Sequence, residues 1–396
     1  MIKRVRYYIF LKDILFLALT AFGGPQAHIA MLFDVMVNKR GYLTEKDLIE
    51  LNALCQILPG PTSTQTITAI GFKIGGPNLA YLTLLVWMLP AVTFMTIAGL
   101  SISYMQENNI SLEFTRFIQP MAIGFVAFAA YRISTKVVNS KTGVALMIVS
   151  ALISYLASSP YIFPIILIIS GAITAFKFKR HSIEEKGRLK IDWRNFVLWA
   201  GVFLVAAGLG GITRSLPIRL FENFYRNGSL IFGGGQVLIP LLYAEFVVVP
   251  FKQYLTSEEF KTGYALVQAI PGPVFSFSSY IGSISMKEAG TGGQILGAFV
   301  CAAGIFLPGT FLIFFIIRFW ENLKKYRIVK ASLEGINAAS SGMVIAAAFL
   351  LFRPDDANLL NISIIAGTFS LLMFTRIPAP FIIIAGLIAG ILFQYF

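Results

Sequence analysis

Charged side chains are scarce in this chain of 396 residues: 13% are charged and 57% are hydrophobic. A soluble domain carries about 25% charged residues, so the composition excludes an ordinary soluble fold and indicates an integral membrane protein. The 32 Lys and Arg residues outnumber the 19 acids, but they lie mostly in the gaps between apolar runs. That placement fits the preference for positive cytoplasmic loops, and no nucleic-acid-binding module accompanies it. We therefore expect a surrounding bilayer and no nucleic-acid partner.

Cysteine and histidine are almost absent. Cys55 and Cys301 lie in separate apolar segments, so we expect neither a disulfide framework nor a Cys/His metal site. His28 and His181 are far apart in the chain. The sequence also lacks the Gly-x-Ser-x-Gly, His-Glu-x-x-His and Walker A motifs of nucleophilic, zinc-dependent and phosphate-binding sites. These absences predict a protein that is not an enzyme and that has no cofactor.

Four stretches interrupt the apolar runs, and we number them as breaks 1 to 4 in chain order. They are Phe22-Gly23-Gly24-Pro25-Gln26, Gln56-Ile57-Leu58-Pro59-Gly60-Pro61, Phe232-Gly233-Gly234-Gly235-Gln236 and Gln268-Ala269-Ile270-Pro271-Gly272-Pro273. Broken backbone at membrane depth persists only where protein or a water-filled cavity covers it. Paired breaks at corresponding places in two halves are typical of a transporter's binding site.

The apolar runs beside the breaks are too short to cross a bilayer as single helices. Residues 10–22 and 25–37 flank break 1, and 46–58 and 62–74 flank break 2. A span needs about 20 residues, so each pair favours a re-entrant hairpin over the alternative, one kinked crossing helix. Comparable short runs flank breaks 3 and 4. The spans predicted elsewhere are 79–103, 117–138, 144–157, 161–176, 195–212, 292–319, 333–352, 359–375 and 378–396.

The pattern of the first half recurs in the second. Tyr42-Leu43-Thr44 matches Tyr254-Leu255-Thr256, and the offset between matching positions grows only from 210 to 218 residues along the chain. This regularity predicts an internal duplication. We expect an N-terminal repeat at 1–176, a basic linker with a connecting helix at 177–220, and a C-terminal repeat at 221–396.

Loop charges indicate that the repeats have opposite orientations. The loop at 104–116 has a net charge of −1, whereas its counterpart at 318–330 has +4. The positive-inside preference puts such loops on opposite sides, with the N-terminus and the 177–194 loop cytoplasmic. The predicted fold is an all-α polytopic membrane protein with two inverted-topology repeats, each with two re-entrant or broken-helix hairpins followed by transmembrane spans. One observation opposes this topology, because three arginines would lie near the outer face: Arg214, Arg219 and Arg226.

Breaks 1 and 2, with Tyr42-Leu43-Thr44 between them, resemble the signature of the chromate ion transporter (CHR) family. The second copy resembles the same pattern, so nearly the whole chain is similar to the long, two-domain members. Gly235 replaces Pro25 in that copy, and Leu238 stands opposite His28. The resemblance implies a secondary transporter of the inner membrane that carries chromate or a related oxyanion such as sulfate. It further implies export coupled to the proton motive force, which confers chromate resistance.

The breaks contain no Arg or Lys, so backbone is the expected ligand of such an anion. Helix N-termini offer free N–H groups and about half a positive charge each, which suits a tetrahedral dianion held near the membrane midplane. Hydroxyls and glutamines that follow the breaks either donate to the anion or make ordinary helix–helix hydrogen bonds. The predicted substrate-binding residues are Gly23, Gly24, Pro25, Gln26, Gly60, Pro61, Thr62, Ser63, Thr64, Gly233, Gly234, Gly235, Gln236, Gly272, Pro273 and Ser276.

Ionisable residues beside the hairpins are candidates for proton coupling: His28, Asp34 and Glu245. A lone histidine in an apolar stretch also serves as a structural hydrogen-bond partner, and the two acids also fit positions near the interface. Two other functions stay open at this point. One is a lipid scramblase or carrier with re-entrant hairpins, which needs a lateral groove with charged residues, and the other is an anion channel. A homodimer is compatible with each.

Overall fold

A computed structural model describes residues 2–22, 24–138, 140–157, 162–176, 191–232, 235–320, 326–352 and 357–395, and these residues contain helices and loops but no strand. The α-helices are α1 Ile2–Thr20, α2 Gly24–Leu32, α3 Glu45–Ile57, α4 Thr62–Glu107, α5 Ile118–Val137, α6 Lys141–Leu156, α7 Ile162–Ala175, α8 Arg194–Thr213, α9 Leu216–Leu230, α10 Gly235–Tyr243, α11 Ser257–Ala269, α12 Phe277–Ser285, α13 Gly290–Ile316, α14 Arg327–Leu351, α15 Leu359–Phe374 and α16 Ala379–Tyr395. The first part of the predicted linker, 177–190, lies outside the described residues.

In the described part of the chain, five helical segments are long and apolar enough to cross a membrane, at 62–107, 113–135, 194–213, 287–316 and 331–351. The remaining predicted spans form shorter apolar helices of 10–17 residues. An all-α polytopic membrane protein is thereby confirmed. The apolar run predicted at 10–22 is part of a longer helix that begins at Ile2, because lysine and arginine are good helix formers and extend it toward the N-terminus.

The chain folds back on itself at both breaks of the first repeat. After α2 the chain returns along α1, where the Asp13 carboxylate accepts from Arg40 at 2.7 Å and from the Tyr42 hydroxyl at 3.1 Å. In the second hairpin, Lys73 of α4 lies 2.5 Å from Asp47 in the first turn of α3. Each pair joins the helix before a break to the segment that follows the break. The alternative of a single kinked crossing helix is therefore wrong for this repeat.

The two repeats share local geometry as well as sequence. Thr44 and Asp47 form a reciprocal capping box at the start of α3, and Thr256 with Glu259 forms the same box before α11. Short π-helical segments follow α2 and α10, at Phe33–Lys39 and Ala244–Val248. The prediction of a duplicated chain is confirmed.

The sequence analysis missed a further break in each repeat. Gly76 has φ +76° and interrupts α4, and Gly290 has φ +70° at the start of α13. Positive φ is the conformation that glycine adopts without steric cost. Gly76 stands in Gly75-Gly76-Pro77, the same triplet as Gly23-Gly24-Pro25 of break 1, so a sequence signal was available for it. Gly290 has no proline beside it, and nothing in its local sequence separates it from the glycines within helices.

The chain forms two compact units, and each takes segments from both repeats. The first unit comprises Met1–Tyr104, Asp192–Leu230 and Leu266–Arg318, and the second comprises Met105–Ile191, Ile231–Ala265 and Phe319–Phe396. Breaks 1 and 2 and the Pro-Gly-Pro turn of break 4 therefore belong to the first unit, and break 3 belongs to the second. The predicted boundaries describe the sequence repeats, not these compact units, and they stay a prediction.

In the second unit, α14 packs against α5, α6, α7 and α10. Two close approaches hold it there. A Cβ added at Gly342 would lie 2.1 Å from the Met147 carbonyl, and one at Gly335 would lie 1.9 Å from the Ser170 carbonyl. Small residues that let helix backbones touch are typical of helix packing in membranes.

Candidate functional site

Breaks 1, 2 and 4 meet in the first unit through the Ala21 carbonyl and the His28 ring. The Ala21 oxygen, at the end of α1, accepts from the Gly272 N–H of break 4 at 2.9 Å. The same oxygen lies 3.2 Å from Nε2 of His28, which follows break 1. Nδ1 of His28 lies 3.1 Å from the Ser63 hydroxyl, in the first turn after break 2. Three breaks from two repeats thus share one hydrogen-bonded cluster.

The partners of His28 determine its tautomer. A carbonyl oxygen only accepts, so Nε2 carries the proton and donates it to Ala21. In the neutral ring, Nδ1 is then an acceptor, and Ser63 donates its hydroxyl proton to it. The Trp87 ring packs edge-on against the imidazole at a centroid distance of 5.3 Å. Every contact of His28 is satisfied in this state, as in the structural role that a lone histidine commonly has.

The N-terminus of α4 is the candidate anion site. Its first intrahelical hydrogen bond runs from the Gln65 N–H to the Pro61 carbonyl at 2.8 Å. The N–H groups of Thr62, Ser63 and Thr64 precede that bond, so they have no acceptor within the helix. Ser63 and Thr64 are buried, and the Thr64 hydroxyl accepts from the indole N–H of Trp87 at 3.1 Å. Free amides, two hydroxyls and a positive helix end come together here away from solvent.

Gln65 belongs to the site, although the sequence analysis did not select it. Its Nε2 donates to the Pro59 carbonyl at 2.6 Å, whereas its buried Oε1 has no partner in the described part of the chain. A Cβ added at Gly60 would lie 2.8 Å from that Nε2, and one at Gly309 would lie 2.7 Å from it. Gln65 therefore ties break 2 to α13. A glutamine one turn after a Pro-Gly-Pro break is the sequence signal that was available.

Break 4 contributes buried hydroxyls, but its glycine amide is already used. The Gly272 N–H is bonded to Ala21, so this residue orients the turn in the observed state. Pro273 is buried beside it. Ser276 is fully buried, and its hydroxyl has no hydrogen-bond partner among the residues that the structure describes.

The other predicted ligands are placed less completely. Gly24 has φ +76° at the start of α2, whereas Gly23 and the side chains of Pro25 and Gln26 lie outside the description. Gly233 and Gly234 also lie outside it, as does the side chain of Gln236, whereas the backbone of Gly235 begins α10. In the second unit, the Phe232 carbonyl of break 3 accepts from the Ser340 hydroxyl at 3.3 Å. The participation of break 3 in the anion site stays a prediction.

The two acidic coupling candidates have different surroundings. Asp34 is half exposed and pairs with Lys39 at 2.7 Å. Glu245, in the second unit, is 0% exposed and pairs with Lys252 at 2.7 Å. The ion pair of Asp34 lies outside the hydrogen-bonded cluster around Ala21.

We expect unequal losses of stability from removing these two carboxylates. Glu245→Ala takes a buried counter-charge from Lys252 and should lower the free energy of unfolding by about 3–5 kcal/mol. Asp34→Ala removes one side of an exposed pair and should change stability little. Thermal unfolding of both variants in detergent, monitored as the loss of monodisperse protein, measures the difference. Equal melting temperatures for the two would contradict a structural role of the Glu245 pair.

Comparison with known proteins gives the family. The profile described as "Chromate transporter" matches residues 9–176 and 218–391. A chromate transport protein of Cupriavidus metallidurans is 24% identical over 93% of this chain and 89% of its own length. An uncharacterized transporter of Methanocaldococcus jannaschii is 26% identical over 95% of this chain and 92% of its own. No solved structure matches the chain.

A shorter relative matches about one repeat. An uncharacterized transporter of Bacillus subtilis is 23% identical over 39% of this chain, yet the match covers 86% of its own length. The family profile also matches this chain twice, once in each half, with the linker between the matches. A multi-pass membrane protein with this double match and these relatives belongs to the chromate transporter family, whose members transport ions.

Proposed function

We propose that this protein is a secondary active transporter of a divalent oxyanion, with chromate as its first substrate and sulfate-like anions as its second. The observation that carries the proposal is the cluster in which the Ala21 carbonyl accepts from Gly272 and His28, and His28 in turn bonds Ser63 at the N-terminus of α4. The names of the relatives give the same substrate class. The anion binds at the helix N-termini of the breaks, near the membrane midplane.

Neutral ligands suit this task because a transporter must release its substrate. Backbone amides and the positive end of α4 replace part of the hydration shell of a tetrahedral dianion. Hydroxyls of Thr62, Ser63 and Thr64 supply further donors of moderate strength. Among the described residues of the four breaks there is no Lys or Arg, which would hold a dianion more tightly. Lys73, which lies further along α4, is already paired with Asp47.

Protonation of His28 couples proton binding to anion binding. An imidazolium donates from both nitrogens, so Nδ1–H would donate to the Ser63 oxygen. The Ser63 hydroxyl keeps its proton, which no longer bonds His28. That proton then points to the anion at the N-terminus of α4, and the ring adds one positive charge nearby. Each ion therefore raises the affinity for the other, as linkage requires. Asp34 and Glu245 have no part in this step.

The electrical component of the proton motive force drives export in this scheme. A dianion that moves with one proton carries a net single negative charge outward. An inside-negative potential favours that movement by about 2.3 kcal/mol per charge per 100 mV. The pH gradient opposes the movement but acts on the one proton alone.

The proposed topology puts the linker and the 318–330 loop on the cytoplasmic side of the inner membrane. Asp192, at the end of the linker, forms ion pairs with Arg194 and with Arg318, the first residue of that loop. The hydrogen bond from Arg194 is the main reason that the pKa of Asp192 is lowered to about 2, so the carboxylate stays ionised at physiological pH. This contact supports a common side for two basic loops, with the N-terminus on the same side.

Of the three arginines that oppose this topology, Arg226 does not face the outer surface as a free charge. It is nine-tenths buried on α9 and pairs with Glu222 at 3.1 Å. A buried cation of this kind is a packing feature of the helix rather than a topological signal.

The lipid-scramblase alternative needs a charged lateral groove. A cavity of about 670 Å³ in the first unit is lined by apolar residues of α8, α9 and α13, such as Val197, Leu209 and Phe221. An apolar lining suits acyl chains, but it gives no path to a charged headgroup.

We expect purified protein in proteoliposomes to move chromate or sulfate against its gradient when a membrane potential is imposed. A carrier saturates with substrate, and the accumulation ratio changes about tenfold per 60 mV for each net charge moved. Flux of radiolabelled sulfate and of chromate, with imposed voltage and pH gradients, gives both quantities. Empty liposomes and fluorescent-lipid translocation are the controls. Non-saturating flux would favour a channel, and lipid translocation without anion flux would favour the scramblase.

A further inference from the structure

The short helix α12, directly after break 4, carries buried hydroxyls that bond to nothing described. Ser279 and Ser283 are 0% exposed and lie one turn apart, on the same face of the helix. On α4, Ser103 is 1% exposed and its hydroxyl also lacks a partner among the described residues. A buried, unsatisfied hydroxyl is uncommon in a folded protein and calls for an explanation.

Other buried hydroxyls of the first unit make a hydrogen bond within their own helix that these serines lack. The hydroxyls of Thr68, Thr83, Thr96 and Thr310 each donate to the carbonyl four residues earlier, at 2.6–3.1 Å. The same acceptor exists for Ser103 and Ser283, since each lies a full turn or more inside its helix. Neither hydroxyl makes that bond. Rotamers that leave a donor unsatisfied cost about 1–3 kcal/mol each, so a packing role alone does not account for them.

Ser283 lies where a helix of the first repeat meets a helix of the second. A Cβ added at Gly99 of α4 would lie 2.7 Å from the Ser283 hydroxyl, and one at Gly272 would lie 3.0 Å from Cβ of Ala91. The contact between α4 and α12 therefore starts at break 4 and runs away from the site. Ser279 stands one turn nearer the site than Ser283, and Ser103 stands one turn beyond Gly99.

We propose that this contact, which we call the serine seam (Gly99, Ser103, Ser279 and Ser283), is the route by which the oxyanion passes between the break site and the membrane surface. The inference rests on the proposed function and extends it to a path. Hydroxyls donate to the oxygens of a tetrahedral anion in turn, in place of water, and release it easily because they carry no charge. The seam is closed in the observed state, and it opens when α4 and α12 separate.

Removing a seam hydroxyl should have opposite effects on transport and on stability. Ser283→Ala and Ser279→Ala each remove a donor to a charged substrate, so we expect oxyanion flux to fall about tenfold. The melting temperature should stay the same or rise, because an unsatisfied buried hydroxyl is lost. Thr96→Val is the matched control on α4: its hydroxyl bonds its own helix at 2.7 Å, so flux should be unchanged.

Thiol labelling tests the path independently of these rates. Cys55 and Cys301 are fully buried, which gives a low background for water-soluble thiol reagents. We expect Ser283→Cys to react during voltage-driven transport and to be protected by saturating chromate, whereas Thr96→Cys stays unreactive.

The results separate the route from the function. Suppose that the wild-type protein transports oxyanion. Full activity of both alanine variants would then overturn the serine seam, and so would an unreactive Ser283→Cys. Either result would leave the proposed function standing. Absence of oxyanion flux in the wild-type protein would overturn both.

Discussion

Gly272→Val should abolish oxyanion flux in a protein that still folds. Gly272 has φ +103°, a conformation that valine adopts only with strain of about 1–2 kcal/mol. An added Cβ would also lie 3.0 Å from Cβ of Ala91. The turn would then shift and move the N–H that joins break 4 to Ala21, so the cluster around His28 would lose its alignment. Proteoliposome flux and the melting temperature measure the two effects separately.

The chain offers a matched control for backbone strain. Gly41 has φ +58°, lies in an exposed turn, and has open space where a Cβ would be. Gly41→Val therefore carries a similar conformational cost without touching the site, and we expect near-normal flux from it. If Gly272→Val transports as well as Gly41→Val does, the geometry of break 4 is not part of the mechanism.

Local chemistry explains why the breaks and the repeats could be predicted from sequence. Pro-Gly-Pro ends a helix wherever it stands, because proline lacks an N–H and glycine accepts positive φ. Tyr42-Leu43-Thr44 and its second copy mark a helix start, which the structure shows as capping boxes at Thr44 and Thr256. These features depend on a few neighbouring residues, so one sequence is enough to find them.

The contacts that assemble the site could not be predicted in the same way. Ala21 is an ordinary apolar residue, and its role comes from a carbonyl that every residue possesses. Its partner Gly272 lies in the other repeat. Whether the hydroxyls of Ser283 and Ser103 find a partner depends on their side-chain rotamers. From sequence alone, serine in a membrane helix is indistinguishable from an ordinary small packing residue. Tertiary placement, rather than residue type, separates these positions from similar ones elsewhere in the chain.

His28→Gln should keep the cluster folded and remove its response to pH. The glutamine amide can donate to the Ala21 carbonyl and accept from Ser63, as neutral histidine does, but it cannot take up a proton. In the wild-type protein, protonation releases the Ser63 hydroxyl to the anion, so acidification should raise the apparent affinity for chromate. A coupling free energy of typical size predicts a rise of at least about fivefold.

Initial rates of chromate flux, measured from neutral to acidic pH without a pH gradient, should therefore increase on acidification in the wild-type protein and stay flat in His28→Gln. Ser63→Ala removes the hydroxyl that responds to the proton, so it should show the same flat profile with weaker binding. Asp34→Asn is the control, because its carboxylate lies in an exposed pair outside the cluster, and its pH profile should match the wild type. A wild-type pH profile in His28→Gln would show that the coupling proton binds elsewhere, and His28 would then be a structural bridge between Ala21 and Ser63.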